Sequence, residues 1–389
     1  MLIRIDDVAH YKKIIAAICS IPSVRKQLNS VEQCIELKTN KEDNVLEIST
    51  VDLTSHAIKL KVPAEIVDEG RQIVLSNKLK AMSSKLNPKF GLEISSKDNL
   101  LNYEMKPYGS IVDNQYFSQD SVLSDDLFVD DTYEDVCADL GHFLDLLPIA
   151  CSNTYNDREI YITTDADHLM MYVQFTETSY IRYKSITNTR ATSEFRAAVR
   201  PALLRIVQHL GEGVELTFSK DLEAIKFTSD VGEMAFIVDT SINKVCKKVD
   251  SIVENDGDAY IEVAHEDLSE SIKWQSYNTT ETDVVCLDFN MDEEQFTIQI
   301  DSRSNKNKPS SLDVHYSGLF EKTNLSVGHI TKALKAMGTP KNKILPVETV
   351  KINIKKIVVK NAPPVTAVHL CPDREDDVTS DVIIYEAKI

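Results

Sequence analysis

PALLRIVQHLGEG, residues 201–213, reads as a short helix that enters through a proline and stops at a glycine. Similar phrases stand at 78–88, KLKAMSSKLNP, and at 329–340, HITKALKAMGTP. A shift of 124 residues lays Leu79 on Leu203, Met82 on Ile206 and Leu86 on Leu210. A further shift of 127 lays Leu203 on Ile330, Ile206 on Ala333, Val207 on Leu334 and Leu210 on Met337. The matched positions recur three and four apart, which is the spacing of one buried helix face. The first shift holds into the next segment, with Leu92 on Leu216 and Ile94 on Phe218. A unit of about 125 residues is therefore repeated three times.

Each third also opens on a helical pattern. Tyr11, Ile14, Ile15 and Ile18 form one stripe, and a shift of 132 gives Phe143, Leu146, Leu147 and Ala150. The third copy offers Leu268 and Ile272 in a more polar setting. Between the helices the pattern changes to period two, as in REIYITTD, LMMYVQF, VELTFSKD, EQFTIQID and VKINIKKIVV, which read as amphipathic strands. The fold class expected is α+β: three repeated domains, each with two helices packed on antiparallel sheets. The apolar-poor stretches 118–135 and 253–259 place the domains at 1–123, 124–250 and 251–389. Three unrelated α+β domains with coincidental helix faces are the alternative.

The 389 residues carry a formal net charge of −18, which taken alone argues against a protein that coats DNA. The charge is segregated, however. Residues 75–91, 195–210 and 323–347 together hold eleven lysines and arginines and no acid, while the rest of the chain holds 32 against 61 acids. Three equivalent helices without acids point to one shared surface facing a polyanion. No helix rich in Arg, Asn and Gln stands out, so the contact is expected to be independent of base sequence. With Arg25 and Lys26, the candidate DNA-facing set is Lys78, Lys80, Lys85, Arg196, Arg200, Arg205, Lys332 and Lys335.

These features resemble the bacterial-type β sliding clamp, the processivity factor of replicative DNA polymerase. LDVHYSG (312–318), followed by SVGHITKALKAM (326–337), is similar to the strand end and last inner helix of that family's third domain. VRPALLRIVQHL resembles its second-domain helix, TTDADHLMMYV (163–173) its T-D-G-H-R-L turn, and VIIYEAKI its C-terminal strand. The resemblance implies a head-to-tail dimeric ring around double-stranded DNA. It also implies partnership with a DNA polymerase and a clamp loader, no cofactor and no catalysis. Carried over residue by residue, the partner-peptide pocket comprises Thr164, His168, Leu169, Lys248, Val249, Ile383, Tyr385 and Ala387. The subunit interface is expected at Tyr108 and Ile111 on one side and Ile272 and Trp274 on the other. The chain departs from the family at Ala166, Asp167 and His168, at INKVCKKV (242–249), and at Glu386 and Ala387. All three departures fall where the family binds its polymerase peptide, which fits a divergent member such as one encoded by a virus with its own polymerase. A monomeric clamp-like processivity or transcription accessory factor is the alternative.

No phosphate-cradling glycine loop and no H-E-x-x-H zinc motif occurs. The acids Asp125, Asp126, Asp130, Asp131, Glu134 and Asp135 would suit a metal-dependent nuclease, but their boundary setting reads as a solvated linker, and no metal is expected. The seven scattered cysteines lack a C-x-x-C pair and read as free thiols in a reducing compartment. The first residues, MLIRIDDVAHYKK, carry acids where a signal peptide needs an apolar run, and no membrane span is present, so a cytoplasmic protein is expected.

Overall fold

The structure, a computed structural model, describes residues 1–21, 34–52, 55–97, 100–106, 108–114, 132–165, 167–187, 195–240, 244–254, 259–277, 279–290, 295–301, 308–357, 365–373 and 377–385. The three quoted phrases are helices: α2 (Ser76–Ser84), α4 (Pro201–Val207) and α7 (Val327–Met337). They follow α1 (Val8–Ile18) and α3 (His142–Ser152), and α5 (Lys244–Val253) and α6 (His265–Gln275) stand between α4 and α7. The helix-face positions matched by the sequence shifts are buried: Leu79, Leu203 and Ile330; Met82, Ile206 and Ala333; Leu86, Leu210 and Met337; of the strand matches, Phe218 is half-buried. The stripes of α1 and α3 are likewise buried in full.

Local signals set the helix ends. Asp7 caps α1, its carboxylate accepting from the His10 amide at 2.8 Å. Pro201 sits in the first turn of α4, where its missing N–H costs no bond. Gly338 ends α7 at φ 112°, and a Cβ there would meet the Leu345 carbonyl at 2.2 Å, so glycine is required twice over.

The chain forms two compact units, Met1–Gly141 with Arg190–Thr240, and His142–Thr189 with Ser241–Ile389. In the first unit a five-stranded sheet runs in the order Glu65–Asp68, Leu2–Ile5, Leu92–Lys97, Leu100–Met105, Gly109–Asn114. An eight-stranded sheet runs in the order Glu134–Cys137, Glu215–Ser219, Ala224–Ser229, Gly232–Ile237, His56–Pro63, Val45–Asp52, Cys34–Asn40, Arg71–Leu75. Helices α1 and α2 pack on each other, α1 also on His56–Pro63 and α2 on Arg71–Leu75.

In the second unit an antiparallel run of strands has the order Ile160–Asp165, His168–Gln174, Tyr180–Ile186, Val378–Tyr385, Val365–Pro372, Thr349–Ile357, Tyr260–Ala264, His315–Ser317. A four-stranded sheet has the order Ser310–Leu312, Gln295–Asp301, Val284–Asn290, Thr323–Ser326. Helix α7 packs on Val378–Tyr385 and on α6, and α3 packs on Tyr180–Ile186 and His168–Gln174. The stretch LMMYVQF, expected to be amphipathic, is buried on both faces, because α5 covers the side away from α3 and α7.

Candidate nucleic-acid and partner-binding surfaces

In the first unit α1, α2 and α4 carry Lys12, Lys13, Lys78, Lys80 and Arg205 and no acid. Lys13, Lys80, Lys85 and Arg205 are exposed. Lys12 is partly committed: its Nζ donates to the Leu86 carbonyl at 2.6 Å and the Ser84 carbonyl at 3.4 Å, closing the C-terminal end of α2. Burial holds the His209 imidazole below its usual pKa, and the nearby His10 and Lys13 lower it further. The residues after α4 and one face of α1 therefore share a single basic patch. Arg200 lies near His56, whose pKa is pushed down to about 4, first by burial and then by that guanidinium, against the pull of Asp52. Arg196 is half-buried, and Arg25 and Lys26 lie outside the described residues.

The second unit is charged differently. On α7, Lys332 donates to Glu281 at 3.1 Å, while Lys335 is exposed. Beyond α7, Lys341 lies 3.5 Å from Glu266. Helix α6 carries Glu266, Asp267 and Glu270 against Lys273, and α3 carries Asp145, 3.8 Å from His142.

Alternation along the strands divides the predicted pocket residues between two faces. Thr164 and Leu169 are direct cross-strand partners and share the face toward α3 and α7. His168, Ile383 and Tyr385 lie on the other face, where Val249 of α5 is seated. Leu169, Val249 and Ile383 are fully buried. Cys246, Val249 and Ile252 of α5 pack against Met170, Tyr172, Ala367 and Ile383, so α5 occupies the apolar part of this face. Lys248 Nζ stands 4.5 Å over the ring of Tyr385, a cation–π contact. Ala387 lies outside the described residues.

Polar contacts fasten α5. Asp250 accepts from the Tyr172 hydroxyl at 2.7 Å and from Arg182 at 3.3 Å. Lys355 donates to the carbonyls of Ile252 and Val253 at the helix's C-terminal end. Arg182 also grips Asp381 with two bonds to Oδ2 at 2.9 and 3.1 Å, and His369 Nε2 meets Asp381 Oδ1 at 2.9 Å. Burial would raise the Asp381 carboxyl, but the His369 hydrogen bond and the Arg182 charge outweigh it and hold the group below the usual range. A polar cavity of about 730 Å³ opens beside this network, lined by His168, Lys184, Lys351 and Asp373 among others. Ligand atoms of His369, Cys371 and Asp381 fall within 4.8 Å of one another, but both Asp381 oxygens are already engaged. Burial pushes the Cys371 thiol up to about 12, so it is not a ready thiolate.

Of the interface candidates, Tyr108 and Ile111 sit at a sheet edge, and Ile272 and Trp274 on helix α6. In the first unit Gly109–Asn114 is the last strand of its sheet, and Tyr108 beside it is 68% exposed, its ring 5.1 Å edge-on from Phe90. Ile111 is half-buried and lines, with Tyr103, Met105 and Tyr108, a pocket of about 290 Å³. In the second unit Trp274 is 80% exposed, whereas Ile272, only two residues earlier on α6, is 2% exposed and belongs to the core. Tyr277, one turn beyond Trp274, is 75% exposed; its three-residue spacing from the only tryptophan was the signal available for it. Gln275 donates to the Lys308 carbonyl at 2.7 Å and to Ser310 at 2.9 Å, fixing this end of α6 to the edge strand Ser310–Leu312.

Of the acids considered for a nuclease, Asp125, Asp126, Asp130 and Asp131 lie outside the described residues, and Glu134 and Asp135 are exposed. Among the described residues no helix is long and apolar enough to cross a membrane.

The sequence matches no family model and no curated protein. The fold does match solved structures over the whole length of both chains. The DNA polymerase III subunit beta of Pseudomonas aeruginosa aligns at a TM-score of 0.74 and 12% identity, with 100% of each chain covered. The polymerase beta subunit of Streptococcus pyogenes aligns at 0.74 and 14%, and that of Thermotoga maritima at 0.74 and 13%, again with 100% of each chain covered. The chain thus has the fold of the bacterial DNA polymerase III beta subunits, at very low sequence identity.

Proposed function

We propose that this protein is a DNA sliding clamp: a non-catalytic ring that encircles duplex DNA and tethers a replicative polymerase. The full-length likeness of fold to the beta subunits supports this reading most. Helices α1, α2, α4 and α7 support it independently, since helices that carry no acid face phosphate without strong repulsion and need no base contacts.

In this reading the three domains are 1–123, 124–250 and 251–389, and two chains close head to tail. The edge strand Gly109–Asn114 of one copy meets the edge strand Ser310–Leu312 of the other, with Tyr108 on one side and Trp274 and Tyr277 on the other. Exposed edges and large exposed aromatics are what such a closure would bury. The polymerase peptide docks around the rim formed by His168, Lys248 and Tyr385, with Val249 and Ile383 as the packed support beneath, while Thr164 and Leu169 stand on the other face of the sheet.

Light scattering through a dilution series tests the ring first: the expected mass is twice the 43.8 kDa of one chain, persisting on dilution. Loaded protein is then expected to stay on closed circular duplex and to leave linear duplex from its ends. A monomer at every concentration, binding circles and linear DNA alike, would support a monomeric accessory factor instead.

A further inference from the structure

Six helices that the clamp reading turns toward DNA fall into two groups, α1, α2 and α4 in the first unit and α3, α6 and α7 in the second. The first group carries five lysines and arginines and no acid, while the second carries three lysines and four acids, Asp145, Glu266, Asp267 and Glu270. Helix α5 is outside this comparison because it lies on the opposite face of its sheet from α3 and α7.

We infer that the first unit alone grips the duplex backbone, while the acids of α6, with Glu281, screen the second unit so that DNA passes it without being held. The inference rests on the clamp reading and deepens it, assigning the phosphate contacts to one unit.

The pairings carry the argument. Lys332 is engaged by Glu281 at 3.1 Å and Lys341 approaches Glu266 at 3.5 Å. A lysine already beside a carboxylate must give up that partner to neutralise a phosphate, so it contributes less to the salt-dependent part of affinity. Lys13 and Lys80, by contrast, are exposed on helices with no acid of their own. His10 and Lys13 of α1 both stand near enough to His209 to act on it. Asp267 and Glu270 of α6, exposed and in no ion pair among the described residues, also repel phosphate within a Debye length, about 8 Å at physiological salt.

The test measures the affinity of the full-length protein for a short blunt-ended duplex across a salt series. Each phosphate contact contributes roughly 0.9 to the slope of log affinity against log salt. The combined variant Lys13→Ala, Lys80→Ala is expected to lower that slope by about one to two and to weaken binding about tenfold at low salt. Lys12 is left intact because it closes α2. The pair Lys332→Ala, Lys341→Ala is expected to change affinity by less than about twofold. The pair Glu266→Gln, Glu270→Gln is expected to strengthen binding by about two- to fivefold, a gain that damage to folding would not produce. Equal losses from both lysine sets, or no gain from the glutamine pair, would overturn the inference while leaving the clamp reading in place. If the wild-type protein neither binds duplex nor is retained on circles, both fail. An unchanged oligomeric mass and melting temperature in each variant tie the outcome to the charges removed.

Discussion

The large sheet of the second unit has two faces built from alternate residues of the same strands, and they are covered in different ways. Toward α3 and α7 the face is nearly all apolar: Leu169, Met171, Val173, Val382 and Ile384 are fully buried. Its polar groups are few and reach helix ends. The Tyr183 hydroxyl donates to the Ala336 carbonyl at 3.2 Å and accepts from Asn153 at 3.0 Å, and Ser380 donates to the Met337 carbonyl at 2.9 Å. Toward α5 the face is apolar for only part of its extent and then becomes an ionic network of Arg182, Asp381, His369 and Asp250. The first face derives its hold from burial, at roughly 25 cal/mol per Å² removed from water. The second derives much of its hold from paired charges, which are costly to bury and costlier to unpair.

That contrast makes the largest prediction a charge removal. Arg182→Ala would leave Asp381 buried without its guanidinium and is expected to cost about 3–5 kcal/mol, read by chemical denaturation. A cost below that of a core truncation would mean the network is more hydrated than its burial implies. Next comes Ile384→Ala on the apolar face, expected to cost about 2–4 kcal/mol through lost transfer energy and a cavity. Val249→Ala, which thins the apolar seat of α5, is expected to cost about 1–2 kcal/mol and to increase amide exchange in residues 244–253 ahead of the rest of the unit. Tyr183→Phe removes two hydrogen bonds and is expected to cost about 1 kcal/mol.

The last prediction concerns the shape of the acid limb rather than the stability at neutral pH. The folded Asp381 carboxyl lies below its ordinary value, so its contribution is present above the unfolded pKa and is lost as pH falls through the folded one. Thermal stability should therefore fall more steeply below about pH 4 in the wild type than in Asp381→Asn. Parallel acid profiles would show that other carboxylates dominate the acid response.

Much of the architecture was legible from residue spacing. The shifts of 124 and 127 residues located helix positions that are all buried, because a helix must turn the same side to its sheet in every copy of a repeat. Helix α5 was not legible. Cys246, Val249 and Ile252 recur three apart, but three buried side chains in a ten-residue stretch give too short a period to distinguish a helix from a polar linker. The pocket set was divided for another reason: resemblance names positions, whereas the two-residue alternation decides which of Thr164, His168 and Leu169 share a side.

The sequence by itself determined the repeat, the α+β class and the absence of acid on three helices, since each depends on residues close together in the chain. Only the tertiary structure decided which charges are answered and which face is closed. Lys332 meets Glu281 from 51 residues away, and Arg182 meets Asp381 from 199 away. Such pairs form because folding places distant segments within a few ångströms, and no periodicity along the chain encodes that distance.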